Sequence, residues 1–289
     1  MEFLYETIAA VTWQQVIMWC LGALLIFLAI KKDMEPALLL PMGFGAILIN
    51  IPFSGAEGVM SSLFAIGIEM NEIMPLVLFI GIGAMIDFGP LLSNPKLFLF
   101  GGAAQFGIFL TILLAAACGF SIEDAASIGI IGAADGPTSI VVAQTLKSNY
   151  VGPIMVVAYS YMALVPIIQP AVIKLTTTKK ERLIRMEYKP ASVSKRTKIL
   201  FPILVTIVSG LIAPASLSLV GMLMFGNLIR ECGVLNYLTD TAKDVLTNLV
   251  TLFLGITIAF TMKAENFITV QTLMIMGLGL CAFLFDTVS

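Results

Sequence analysis

Histidine is missing from the 289-residue sequence, and only 12% of the residues are charged. Without histidine the chain lacks the commonest general base and metal ligand of proteins. Its four cysteines, Cys20, Cys118, Cys232 and Cys281, form no C-x-x-C pair, which gives no sign of a zinc site or a redox pair. There is also no nucleotide-binding glycine loop or catalytic triad spacing. These absences exclude the common classes of soluble metalloenzyme, nucleotide-binding enzyme and hydrolase.

Apolar sequence is what the chain has in quantity, with 59% hydrophobic residues. A membrane-spanning helix needs about 20 mostly apolar residues, so the chain has room for roughly eight to ten helical segments. The continuous runs lack the two-residue alternation of a membrane barrel. They predict an all-α, polytopic membrane protein. The eight clearest runs are Val16–Ile30, Ala37–Ile51, Ile73–Met85, Leu97–Cys118, Gly152–Ile173, Ile199–Ala213, Val245–Thr261 and Val270–Phe285.

Basic residues cluster in a single stretch, 174–198, which holds nine of the sixteen lysines and arginines. The positive-inside rule predicts that this loop is cytoplasmic, together with Lys31 and Lys32 after the first run. A docking surface for soluble partners is a second interpretation of the loop. Its basic residues are Lys174, Lys179, Lys180, Arg182, Arg185, Lys189, Lys195, Arg196 and Lys198.

Counting spans from these two cytoplasmic points leaves one hydrophobic segment too many, so one segment must fail to cross. The candidate is 125–146, which is interrupted at 132–139 by two glycines, Asp135 and Pro137. Proline removes a backbone donor and clashes with the preceding turn, and irregular backbone survives at membrane depth only within protein. We therefore predict a broken or re-entrant helix there. The basic loop separates a first membrane half, 1–173, from a second, 199–289, as in transporters built from two repeats.

Two further segments in the second half depart from a continuous apolar run. Gly226, Asn227 and Arg230 interrupt the apolar run 221–230, which predicts a second broken segment. Residues Asn236–Lys243 have the composition of a short polar surface helix.

Asp135 is the strongest candidate for chemistry, because a carboxylate at mid-membrane costs roughly 2.5–3.5 kcal/mol on insertion scales. Such groups usually bind an ion or a proton. Unwound backbone beside it, with the hydroxyls of Thr138 and Ser139, would supply the oxygen ligands that sodium prefers. Capping of the half-helix that starts at Pro137 is the alternative role.

Other polar side chains in apolar runs are weaker candidates. Tyr159 and Tyr161 could donate a proton or hydrogen-bond a carboxylate, or belong to an interfacial aromatic belt. Asn227 is a candidate buried ligand. Asp286 has the position of an interfacial residue, and Glu123 and Asp124 that of first-turn acids of a helix.

Four strings resemble the beta subunits of sodium-translocating, biotin-dependent decarboxylases, which act on oxaloacetate, methylmalonyl-CoA or glutaconyl-CoA. They occur in the family's order and the resemblance covers essentially the whole chain. The strings are GIGAMIDFGPLL (81–92), GIIGAADGPT (129–138), YSYMALVPIIQP (159–170) and FGNLIRECGV (225–234).

The resemblance implies a subunit that decarboxylates carboxybiotin, consumes a proton and drives sodium export. Sodium and partner-borne biotin would be the cofactors. It implies Asp135, Tyr159 and Tyr161 as the catalytic residues, with Tyr161 the closer match to the functional tyrosine. Asp135, Thr138, Ser139 and Asn227 would hold sodium, with Asp135 as the metal-binding carboxylate, while the biotin-binding residues stay unknown.

The same resemblance implies the surroundings of the chain. The partners would be a carboxyltransferase alpha subunit, a biotin carrier subunit and a small membrane-anchored subunit, in the lipid bilayer of a bacterial inner membrane. No nucleic acid is expected, and association into a homo-oligomer is left open.

The chain departs from the family pattern at two places. The region between Phe53 and Ile73 is short, as in the acyl-CoA-type subunits, whereas oxaloacetate-type subunits carry a long insertion there. Family members also continue beyond the position of Ser289 with an Asn-Pro-led stretch implicated in the ion site, so the second half is expected to be incomplete. The alternative functions are a stand-alone sodium-coupled carrier for an organic anion and a non-catalytic scaffold.

Overall fold

The computed structural model describes residues 2–70, 72–185 and 193–289, and within these ranges the regular structure is entirely helical. The predicted all-α class is confirmed, and each of the eight apolar runs contains helix. The α-helices are α1 Glu2–Ala9, α2 Trp13–Lys32, α3 Pro36–Ile49, α4 Ala56–Phe64, α5 Ile73–Met85, α6 Gly89–Ser93, α7 Phe98–Ala103, α8 Gln105–Ala117, α9 Ile122–Gly129, α10 Gly136–Thr145, α11 Val151–Thr176, α12 Lys195–Ile212, α13 Leu217–Cys232, α14 Asn236–Asp240, α15 Thr247–Ala259, α16 Ala264–Phe267 and α17 Val270–Val288.

Within the described ranges, four helical stretches are long and apolar enough to cross a membrane, and the number rises to six if each of two bent pairs counts as one span. One bent pair joins Ala56–Glu69 to Ile73–Met85 at 62°, and the other is α11, bent by 64° between Met162 and Leu164. Large apolar side chains such as Leu113 and Leu211 are exposed on the helix surfaces. Lipid is the solvent that such surfaces require, and the chain is a multi-pass membrane protein with broken segments.

Local sequence explains where the first span begins and ends. Thr12 and Gln15 form a reciprocal capping box at the start of α2, which satisfies free N–H groups of its first turn. Lys31 and Lys32 lie in the last turn, where the helix dipole favours positive charge, and Asp33 ends the helix in the left-handed conformation. Its 20 residues extend over about 30 Å, the thickness of the hydrocarbon core.

In the part of the chain that the structure describes, two buried clusters form the core. The first lies where α2, α3 and α15 meet and includes Met18, Met42 and Leu254. The second lies among α8, α9, α11 and α17 and includes Ile128 and Phe283. The interrupted segment that carries Asp135 lies between the two clusters, with Ile131 in the second and Ile140 in the first.

The predicted interruption at 221–230 was wrong, because α13 runs through it without a break. Its glycine allows a close helix crossing instead. Gly226 lies against the Ile80 carbonyl of α5, and Gly83 of α5 lies against the Leu223 carbonyl of α13. A glycine in a membrane helix thus marks a contact between backbones more readily than a helix end.

The predicted surface helix at Asn236–Lys243 was also wrong as a separate element. It is continuous with the following apolar run, and the whole stretch Asn236–Met262 has the length and hydropathy of one span. A π-helical stretch, Thr241–Leu246, joins its two α-helical parts.

The basic loop ends in an ion-pair cluster at the start of α12; its part 186–192, which holds Lys189, lies outside the described residues. Lys198 lies 3.2 Å from Asp87, and Arg230 of α13 lies 3.9 Å from the same carboxylate. The Gly89 N–H, together with Lys198 and Arg230, lowers the pKa of the Asp87 carboxyl against the opposing effect of burial. The cluster's contribution to stability is therefore present above the usual pKa of aspartate and is lost as the pH falls through the lowered one.

Candidate ion site at the tip of a helical hairpin

The segment around Asp135 folds into two short helical arms. The first arm is α9 followed by the 3₁₀ turn Ile130–Ala133, and the second is α10. The arms contain 12 and 10 helical residues, which reach about 15–20 Å. Neither arm can cross a hydrocarbon core of roughly 30 Å.

The base of this hairpin is held together by Asp124. Its carboxylate accepts hydrogen bonds from Ser148 Oγ (2.8 Å), the Asn149 N–H (2.8 Å), Asn149 Nδ2 (3.2 Å) and Ser121 Oγ (2.9 Å). Because Ser121 and Asp124 begin the first arm and Ser148 and Asn149 follow the second, the chain enters and leaves the hairpin at the same place. This is the geometry of a re-entrant segment.

Replacing Asp124 by asparagine should lower the thermal stability of the purified protein. The variant loses charge-assisted hydrogen bonds in a buried position, and we expect a cost of about 2 kcal/mol. The neighbouring Glu123 is exposed, so Glu123→Gln is the matched control and should leave the unfolding temperature unchanged. Equal unfolding temperatures for the two variants would show that Asp124 does not fasten the hairpin base.

The tip of the hairpin is the break itself, at Ala134 and Asp135. Ala134 adopts a left-handed conformation with φ of 56°, which a non-glycine residue takes only at some cost. Asp135 is extended and stands at the N-cap of α10, and Pro137 occupies the first turn of that helix, where its missing N–H is not needed. The tip thus ends one helix and starts another within two residues.

The Asp135 side chain is enclosed by its own hairpin. Thr138 Oγ1 donates a hydrogen bond to Asp135 Oδ2. Ser139 Oγ donates to the backbone carbonyl of Asp135 at 3.0 Å. Asp135 thus occupies the N-cap position of α10, but its side chain accepts no capping hydrogen bond from the backbone of that helix. Its carboxylate is held by the Thr138 hydroxyl instead.

Tyr159 is the tyrosine that lies at the tip. Its side chain is 1% exposed, and its ring packs on Gly136 so closely that a Cβ at that glycine would lie 2.4 Å from the Tyr159 Cε1 atom. Its hydroxyl is buried and has no hydrogen-bond partner among the described residues. A buried, unpaired phenol next to a carboxylate is rare in proteins, since such groups are normally hydrogen-bonded.

Tyr161 lies on another face of α11, because residues two apart on a helix point in nearly opposite directions. Its hydroxyl donates to the Met276 carbonyl of α17 at 2.6 Å, and its ring packs on Phe283 with centroids 5.5 Å apart. The structure therefore brings Asp135, Thr138, Ser139 and Tyr159 together, whereas Tyr161 contacts α17.

Asn227 lies at the crossing of α5 and α13. Its Nδ2 donates to the carbonyls of Gly83 (3.3 Å) and Ile86 (2.8 Å), both of which lie outside the hairpin. Its Oδ1 is buried without a partner in the described part of the chain. Asn227 is thus available as a separate oxygen ligand, near the end of α5.

Two carboxylates in this region gave only a weak signal in the sequence. Asp124 has the position of an ordinary first-turn acid, and nothing in its neighbourhood in sequence points to Ser148 or Asn149. Asp286 has the position of an interfacial residue, yet both of its carboxylate oxygens are buried. The helical periodicity of α17 alone does not predict the contacts of Asp286, because these contacts are with two segments that are distant in the sequence.

The sequence from residue 14 to residue 289 matches the family model of the Na⁺-transporting oxaloacetate decarboxylase beta subunit. The chain belongs to this family.

Relatives within the family include acyl-CoA and oxaloacetate types. The chain is 49% identical to the methylmalonyl-CoA decarboxylase subunit beta of Propionigenium modestum, covering 93% of this chain and 74% of the relative. It is also 49% identical to the glutaconyl-CoA decarboxylase subunit beta of Acidaminococcus fermentans, over 96% and 74% of the two chains. The oxaloacetate decarboxylase beta chain of Klebsiella pneumoniae is 41% identical, over 94% and 77%.

The family match confirms the resemblance inferred from the four strings. The higher identity to the acyl-CoA-type members confirms the likeness to that type, which was inferred from the short region between Phe53 and Ile73. The alignment with the Klebsiella relative runs over 337 positions, more than the 289 residues of this chain. Oxaloacetate-type members therefore carry additional residues within the matched region. This agrees with the insertion that distinguishes the two types.

Proposed function

We propose that the chain is the membrane subunit of a biotin-dependent decarboxylase that couples decarboxylation of carboxybiotin to sodium export. Membership in a family named for sodium transport supports this. The observation that carries the proposal is the partly buried Asp135 carboxylate at the tip of a broken helix, with the Thr138 hydroxyl beside it. A bacterial inner membrane is the proposed location.

The chemistry that such a site must support is simple in its balance. Carboxybiotin is an N-carboxylate; its N–C bond breaks, carbon dioxide leaves, and the ring nitrogen takes a proton. One proton is consumed for each carbon dioxide released. A carboxylate that binds sodium in one state and a proton in another can connect that demand to ion movement, because burial favours the neutral form and a bound cation favours the charged one.

The protein residues have separate proposed roles. Asp135 alternates between sodium and a proton, and the Thr138 hydroxyl and the backbone oxygens of the break complete the sodium ligands. Ser139 holds the Asp135 backbone carbonyl in place. Asn227 supplies an oxygen to a sodium position at the end of α5, a helix that packs against α10.

Tyr159 is the better placed of the two tyrosines for proton transfer. Its unpaired hydroxyl is buried beside the residue that follows Asp135, so a proton on the phenol can pass to a group at the tip. The Tyr161 hydroxyl already donates a hydrogen bond to the Met276 carbonyl. We therefore assign Tyr161 to the positioning of α17 against α11.

The variants Tyr159→Phe and Tyr161→Phe should therefore differ in activity. Loss of a general acid typically lowers a rate by roughly 10²- to 10⁴-fold, and we expect Tyr159→Phe to reduce sodium-dependent carboxybiotin decarboxylation by about a hundredfold. Tyr161→Phe removes one hydrogen bond at a helix contact and should cost less than about tenfold. Each variant serves as the control for the other, and a larger loss in Tyr161→Phe would contradict the assignment.

The relatives are named as beta subunits, which implies that the chain has partner subunits. A soluble carboxyltransferase alpha subunit, a biotin carrier and a small membrane-anchored subunit would deliver carboxybiotin to this chain. The relatives at 49% identity act on methylmalonyl-CoA or glutaconyl-CoA, so an acyl-CoA of this class is the proposed substrate of the complex.

The test is sodium uptake by inside-out proteoliposomes that contain the complete complex. Addition of methylmalonyl-CoA or glutaconyl-CoA should start sodium uptake, and avidin, which sequesters biotin, should stop it. Sodium uptake that needs an organic anion but survives avidin would instead establish a stand-alone carrier. Failure of every acyl-CoA and of oxaloacetate to start uptake would refute the proposal.

A further inference from the structure

Asp286, on the last helix, places a second carboxylate against the hairpin. Helix α17 presents Gly279, Ala282 and Asp286 on one face, since residues three, four and seven apart share a side of a helix. A Cβ at Gly279 would lie 3.0 Å from the Tyr161 ring, and one at Gly132 would lie 3.0 Å from the Ala282 Cβ. This face therefore packs on α11 and on the turn that precedes the hairpin tip.

The Asp286 carboxylate fills space that only glycine leaves open. A Cβ at Gly107 of α8 would lie 2.2 Å from Asp286 Oδ1, and one at Gly132 would lie 2.4 Å from Oδ2. Gly132 is three residues before Asp135 in the same break. Two carboxylates from different helices, Asp135 and Asp286, thus lie at the same interrupted segment.

Both oxygens of this carboxylate are buried, and neither has a hydrogen-bond partner in the described ranges. The N–H groups of Gly107 and Ile108, in the first turn of α8, interact with it without reaching hydrogen-bond geometry. An ionised carboxylate in such a place is costly unless it is paired. It is expected to be neutralised by a proton or by a bound cation.

The neighbouring charges do not provide that neutralisation. Among the helices packed on α17, α8 and the turn Ile130–Ala133 contain no ionisable side chain. Helix α9 contributes Glu123, which is exposed, and Asp124, whose carboxylate is occupied at the hairpin base. Helix α11 contributes Tyr159, Tyr161 and Lys174, and Lys174 lies at the far end, in its last turn.

We propose that Asp286 is a second site for a monovalent cation, sodium or a proton, at the turn that leads into the hairpin tip. This inference rests on the proposed ion transport through Asp135 and adds a second carboxylate to its path. For an ion or proton that leaves Asp135, the next carboxylate would be that of Asp286, which contacts the backbone turn at Gly132.

Infrared difference spectroscopy of the purified complex tests this directly. Spectra of the wild type and of Asp286→Asn are recorded with sodium and with choline. In choline, the wild type should show one protonated-carboxyl signal that Asp286→Asn lacks. Loss of the signal on adding sodium identifies the site as one that exchanges the two cations, and a signal insensitive to sodium identifies it as a proton site. Asp240→Asn, which alters a side chain that is 69% exposed, should leave these difference spectra unchanged.

Identical spectra for the wild type and Asp286→Asn would overturn the inference, because Asp286 would then be a permanently ionised group stabilised by the first turn of α8. If Asp286→Asn does not fold, reaction of the wild type with dicyclohexylcarbodiimide decides, since this reagent modifies protonated carboxyls in apolar surroundings. Mass spectrometry reads Asp135 and Asp286 separately. If the reagent modifies Asp135 and not Asp286, the second site is refuted. If it modifies Asp286 and not Asp135, only the role given to Asp135 is refuted.

Discussion

Replacing Asp135 by asparagine should abolish sodium-stimulated decarboxylation of carboxybiotin by the complete complex. The amide keeps the size of the side chain and its hydrogen bond with Thr138, but it cannot carry the negative charge that binds sodium or exchange a proton. Removing one partner of a desolvated charge pair costs about 3–5 kcal/mol, which corresponds to roughly a hundredfold to several thousandfold weaker binding. The measurement is the rate of carbon dioxide release as a function of sodium concentration.

The control for this variant is Asp240→Asn, at an exposed carboxylate in an ion pair with Lys243. Its sodium dependence should equal that of the wild type. A sodium-stimulated rate within about twofold of the wild type in Asp135→Asn would remove Asp135 from the ion path. Gel filtration and unfolding temperature of both variants would show that the loss is chemical and not structural.

The second large effect concerns the crossing of α5 and α13. In Gly226→Ala the new methyl carbon would lie 2.0 Å from the Ile80 carbonyl oxygen, and the contact is with backbone, which cannot rotate away. The two helices must separate, and we expect a loss of about 3 kcal/mol or more in stability. Thermal unfolding in detergent, followed by circular dichroism, measures it.

Helix α13 contains its own control for that substitution. Gly221 has nothing within 4 Å of the position that a Cβ would take, so Gly221→Ala should shift stability by less than about 1 kcal/mol. Similar unfolding temperatures for Gly221→Ala and Gly226→Ala would show that the crossing is loose enough to adapt. The packing role assigned to Gly226 would then be wrong.

Much of the fold follows from the sequence because lipid imposes a simple rule on it. Apolar runs such as 16–30 and 270–285 are helical, since backbone groups in a membrane must be satisfied within the segment. Glycine and polar residues mislead in the same setting. At Gly226 the sequence cannot distinguish a helix break from a close crossing, because the partner carbonyl at Ile80 is 146 positions away in the chain.

The candidate site could be predicted only in part for a similar reason. The Gly-Pro interruption identifies Asp135 from local sequence alone. Helical geometry also shows that Tyr159 and Tyr161 cannot face the same neighbour. Which of them faces the tip depends on the rotation of α11, and that is set by packing against α17 and Gly136.

Asp286 shows the limit of position-based interpretation. A carboxylate near the end of an apolar helix is normally assigned to the membrane interface, where water solvates it. Here two glycines from separate segments, Gly107 and Gly132, admit it to the interior. The residues around Asp286 in the sequence do not predict its contacts with those glycines.

The two-armed hairpin also constrains how the protein is made. Each arm is too short to be retained in the bilayer as a span, and the non-helical backbone at Ala134 and Asp135 needs protein around it. Part of that protein is α17, which the ribosome completes more than a hundred residues after the hairpin. The hairpin therefore gains this part of its surroundings only after α17 has been synthesised, so the ion site is completed after the hairpin itself has been made.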